Sequence, residues 1–154
     1  MGGIYNACKR FHAQRRFMTP STCLTRLDEH QATIFGILQR GERLLKAPER
    51  DAPALARARW ELARALLAYE GFKHRELFDP VAASGCPRRA PVARRLKGDC
   101  LAMGEAFRAY VAKWSAVSVL DCWADYQPAA FRLIAQVRDH LARERRETAA
   151  LLGG

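Results

Sequence analysis

The chain has 154 residues, 49% of them hydrophobic and 27% charged, and its 26 Lys and Arg against 16 Asp and Glu give a net charge of +10. That is one ordinary domain, able to bury a core without help from disulfides or metals, and it excludes a disordered chain. No run approaches the roughly 18 apolar residues of a membrane span, and the N-terminus lacks an apolar core of signal-peptide length. Five scattered cysteines without C-x-x-C spacing argue against a secreted disulfide framework, so a cytoplasmic location is expected.

Residues 1–19 show weak periodicity and read as a short basic arm, in which "KRFHAQRRF" (9–17) holds no acid and His12 is expected to be solvated. Residues 20–154 read as one unit. "TPST" supplies helix-start chemistry, with Pro20 or Ser21 in the first turn. The first helix then carries Leu24, Leu27, Ile34, Leu38 and Leu45, and ends before "KAPERDAP". Pro53 suits the first turn of a second helix, with Leu55, Leu62, Leu66, Tyr69 and Leu77 as its stripe. "DPVAASGCPRRAP" (79–91) has the breaker composition of a loop.

The third helix repeats Leu96, Cys100, Met103, Phe107, Tyr110, Trp114 and Val117. A fourth runs to about Leu152 over Phe131, Ile134, Val137, Leu141 and Leu151, with Pro128 either opening it or kinking an earlier start near Asp121. Trp60, Trp114 and Trp123 read as packing anchors. Tyr126 reads as a core tyrosine, or as a phenol approaching an ion. Short connections and no competing strand pattern make this an all-α chain, expected to be an up-down-up-down four-helix bundle.

Three of the four histidines, His30, His74 and His140, fall on the predicted seams. Glu70 precedes His74 by one turn and Glu144 follows His140 by one turn, so each pair shares a helix face. Counting along antiparallel rods brings all five residues to within about one turn of a common depth. Buried imidazoles and carboxylates need partners. They could satisfy one another, or Glu70–His74 and Glu144 with Arg138 or Arg143 could be plain surface pairs. Alternatively the set would suit iron, manganese or zinc. No catalytic triad, phosphate-cradling glycine loop or hydride-cofactor fingerprint is present, so enzyme activity is not expected.

"LDEHQATIFGIL", "YEGFKHRELFDP" and "DHLARERRETAALL" together resemble the hemerythrin-like (HHE cation-binding) family over about residues 22–152. The family pattern is a His on the first helix and a His-x-x-x-Glu on the second and fourth. Here the second is exchanged, Glu70 standing where the family has His and His74 where it has Glu. The third helix offers no histidine, so at most three imidazoles are available. The resemblance implies a non-haem iron protein with one or two ions, or another divalent metal. His30, His74 and His140 would give nitrogen, Glu70 and Glu144 oxygen, and an open position would admit a diatomic gas. The role implied is sensing or handling oxygen, nitric oxide or iron. The alternative, from the charge balance, is a metal-free bundle whose basic surface binds an acidic protein or nucleic acid.

Overall fold

Helix α1 (Pro20–Lys46) opens on a side-chain cap: Thr19 Oγ1 accepts a hydrogen bond from the Thr22 amide at 3.1 Å, and Pro20 takes the first turn, where an amide hydrogen would have no partner. The computed structural model describes residues 18–153, so His12 and nearly all of the expected basic arm lie outside the described residues. Helix α2 (Ala52–Lys73) starts in the same manner, with Asp51 Oδ1 accepting from the Ala54 amide at 2.9 Å and Pro53 in the first turn. At its end α2 widens into a π turn, His74–Phe78, and continues as the short helix α3 (Asp79–Ala83). The expected loop over 79–91 is therefore helical in its first third. Pro80, which has no amide hydrogen to give, follows the π turn, where the regular i→i−4 pattern is already interrupted. The true break is at Gly85, the one described residue with a left-handed φ (+67°), which glycine adopts without a Cβ penalty.

Helix α4 (Ala90–Ser115) and helix α5 (Trp123–Gly153) complete the chain. Pro128 lies inside α5, so the helix starts well before it. The described residues are helical with no strand. Helix α1 packs on α2 and α5, and α4 packs on the same two, so the four long helices contact one another in a ring. Leu27, Ile34, Leu38, Leu62, Leu96, Phe107, Val137 and Leu141 are buried between them. None of the described helices is long and apolar enough to cross a membrane.

One expected anchor and one expected stripe residue are exposed. Trp60 is 52% exposed and Val117, two residues beyond the end of α4, is 46% exposed. The α4 stripe stops being a stripe once the helix ends, and Trp60 sits one residue past Arg59, which takes the interior position instead. Trp114 and Trp123 are buried as expected, and so is Tyr126, whose hydroxyl accepts a hydrogen bond from Arg59 Nη1 at 3.2 Å.

Candidate functional site

The buried face of α2 runs Leu55, Arg59, Leu62, Tyr69, Lys73 and continues to Leu77 in the π turn, in steps that keep one side inward. Lys73 is 2% exposed, as is Glu144 on α5. The Lys73 Nζ donates to both Glu144 oxygens at 2.8 Å and to Cys100 Sγ on α4 at 3.1 Å, so each of its three protons has a destination. The ammonium also lies 3.9 Å from the centroid of the Tyr69 ring. Tyr69 in turn donates its hydroxyl hydrogen to Glu144 Oε1 at 2.7 Å. Gln31 on α1 donates to the Tyr69 hydroxyl oxygen at 2.9 Å and to the Leu141 carbonyl at 3.0 Å. Four helices thus meet at one polar centre.

Electrostatics fix its charges. Burial pushes the Glu144 carboxyl up, but the His140 hydrogen bond and the Lys73 ammonium outweigh it and hold the pKa down at about 2. His140 Nε2 stands 3.4 Å from Glu144 Oε2, so the two 2.8 Å contacts from Lys73 are the firmer hold. Burial, with Glu144 adding to it, pushes the Tyr69 phenol up well above its ordinary range. Burial pushes the Cys100 thiol up as well, against the pull of Lys73. The centre is a Lys73–Glu144 ion pair flanked by a phenol and a thiol that burial keeps protonated.

Of the five residues expected to share an ion, the structure brings His140 and Glu144 together, on α5. His30 is half-buried, one position from the buried Gln31, and its ring stacks on Phe72 with centroids 5.1 Å apart. Burial, then Arg26, lowers its pKa. His74 is half-buried at the start of the π turn, and its Nε2 is buried with no hydrogen-bond partner. Burial lowers its pKa against the opposing pull of Glu70. Glu70 is half-buried and faces α4, where a Cβ on Gly104 would come within 3.1 Å of its Oε2.

Among the described residues no group of three or more His, Cys, Asp or Glu is close enough to hold a metal ion. As arranged, both oxygens of Glu144 accept from Lys73 Nζ, and His30, His74 and Glu70 are not gathered around His140 and Glu144. Sequence reasoning missed Lys73 and Gln31. A signal for both was present: Gln31 falls four after Leu27 and Lys73 falls four after Tyr69, so either completes its stripe as well as its histidine neighbour does.

Beside the polar centre, a cavity of about 420 Å³ opens between α2 and α4. Trp60, Leu67, Met103 and Phe107 form much of its wall, and Glu70, Lys73, Cys100 and His140 mark its polar end. A second groove, between α1 and the start of α2, has Arg40, Arg43 and Arg57 along an apolar floor of Leu44, Ala47, Ala54 and Ala58. No protein-family profile, curated protein or solved structure matches the chain.

Proposed function

We propose that the chain is a metal-independent interaction module, an up-down-up-down four-helix bundle that presents the basic α1–α2 groove to an acidic protein segment. The ring of helix contacts and the short connections at 47–51, 84–89 and 116–122 support the bundle. The observation that carries the metal-independent reading is Lys73. Its ammonium holds, at 2.8 Å, both oxygens of the carboxylate that the hemerythrin-like resemblance assigns to a metal. A neutralised carboxylate inside four helices needs no further cation. In the groove Arg40 is paired with Glu61, whereas Arg43 and Arg57 are in no ion pair among the described residues. An apolar floor between arginines suits an amphipathic acidic segment better than a nucleic-acid strand, which would want aromatic faces for its bases.

Protein purified without chelator is expected to contain less than about a tenth of an equivalent of iron or zinc, with a Tm unmoved by added Fe²⁺ or Zn²⁺. About one equivalent of metal, lost on His140→Ala, would overturn the reading. Binding to a glutamate-rich peptide should fall steeply with salt and vanish in Arg43→Glu/Arg57→Glu. Tighter binding to duplex DNA would redirect the module to nucleic acid.

The second reading, a non-haem iron protein handling a diatomic gas, is favoured by one observation: the unpartnered, buried Nε2 of His74. It requires Lys73 to leave Glu144, and the same metal measurement decides it.

A further inference from the structure

We propose that the α2–α4 cavity binds a lipophilic amine, its apolar body against Trp60, Leu67 and Phe107 and its protonated nitrogen on the Glu70 carboxylate. The cavity volume of about 420 Å³ is in the range that encloses a small organic molecule, and its walls are chiefly apolar. Trp60 (52% exposed) and Leu67 (68% exposed) are both left in water on the same stretch of α2. A ligand lying between them and α4 would remove that apolar surface from solvent.

The charge of the ligand is set by which lining groups are already satisfied. Lys73 is held by Glu144, Cys100 and the Tyr69 ring, so it has no proton left for an incoming anion. Arg108 and His140 also line the cavity: His140 faces Glu144 at 3.4 Å, and Arg108 is exposed, so water hydrates its guanidinium. Glu70 is half-buried, and its carboxylate makes no hydrogen bond or ion pair with any described residue. A partly desolvated carboxylate in an apolar wall is short of a donor, which a protonated amine supplies. Across from it, Gly104 leaves the approach open: a Cβ there would stand 3.1 Å from Glu70 Oε2 and 3.2 Å from Arg108 Nη1. The aromatic faces of Trp60 and Phe107 favour a cation and an apolar chain equally. An amphiphile with a carboxylate head would meet Glu70 as a like charge.

The inference rests on the metal-independent reading in one respect, since Glu70 must be free of any ion. The test is calorimetric titration of the full chain, chelator-treated and of measured metal content, with decylamine, decanol and decanoate at pH 7. Decylamine is expected to bind about tenfold or more tightly than decanol, and decanoate more weakly than either. Glu70→Gln should bring decylamine down to the decanol level and leave decanol unchanged, and Gly104→Leu should block all three. Circular dichroism confirms that each variant is folded. Decanoate binding as tightly as decylamine, or an amine preference that survives Glu70→Gln, would overturn the proposal. So would a dimer abolished by Trp60→Arg and indifferent to decylamine, which assigns the face to a second copy. Stoichiometric metal in the untreated protein would overturn the metal-independent reading while leaving the amine titration to stand or fall alone.

Discussion

Two basic residues on the buried face of α2, Arg59 and Lys73, lie about four turns apart, and each meets a tyrosine. Lys73 has a carboxylate, a thiol and an aromatic face around it. Arg59 has the Tyr126 hydroxyl at 3.2 Å, the Tyr126 ring with its guanidinium carbon 5.8 Å from the centroid, and Tyr110 nearby; its Nε is unpartnered and it is in no ion pair among the described residues. The difference teaches what each cation requires. A guanidinium spreads its charge, is weakly hydrated and tolerates an aromatic neighbour. An ammonium is compact and strongly hydrated, and enters the interior only with a counter-charge. The Lys73 end is consequently bound up with three other helices through Glu144, Gln31 and Cys100, whereas the Arg59 side chain hydrogen-bonds to one, α5, through Tyr126.

The strongest way to break that contrast is to remove one member of the clasp. Lys73→Met strands an ionised Glu144 in the core and is expected to lower stability by about 3–5 kcal/mol in urea denaturation. Adding Glu144→Leu should restore most of the loss, because a well-packed apolar pair substitutes for a buried ion pair. A single variant within about 1 kcal/mol of the parent would show that the clasp is not what joins the helices.

Acid gives the next largest effect. The Glu144 carboxyl is held at about 2 in the folded chain against an ordinary value of 4.5, so as pH falls the unfolded chain takes up this proton first. Its stabilisation is complete above about pH 4.5 and is lost on the way down to about 2. Stability measured across that interval should fall with a slope that Glu144→Gln flattens. An unchanged slope would remove Glu144 from the account. The smallest effect belongs to the other end: Arg59→Met leaves no carboxylate stranded and should change stability by less than about 1 kcal/mol in either direction. A loss as large as that of Lys73→Met would erase the distinction between the two cations.

These residues also mark how far the sequence could be read. Helix starts at Thr19 and Asp51 were legible because capping side chains and first-turn prolines act locally. Along α5 the phase was legible too, and His140 with Glu144 falls on the buried side as expected. On α1 and α2 the polar side chains that are buried stand one residue from the expected histidines, Gln31 beside His30 and Lys73 beside His74, while Tyr69 lies on the α2 stripe as expected. One residue is about 100° of rotation, and a stripe with partly filled neighbours does not define its centre to better than that. A lysine beside a histidine gives no local sign that it is the buried one, since what decides it is a glutamate on another helix, 71 residues away. The Trp60 exposure has the same origin, as Arg59 holds the inward position.

The π turn at His74–Phe78 leaves a mark of its own on the chain. The Asp79 amide reaches back five residues to the His74 carbonyl, so this stretch packs one residue more than an α-helix would into the same circuit. Leu77 and Phe78, adjacent in sequence, are both buried in this turn, as Phe72 and Lys73 are in the last turn of α2 before it. The segment works as a vernier. It uncouples the phase of the long rod from that of the short helix leading to Gly85, so the corner can be trimmed or extended there without turning Lys73 away from Glu144.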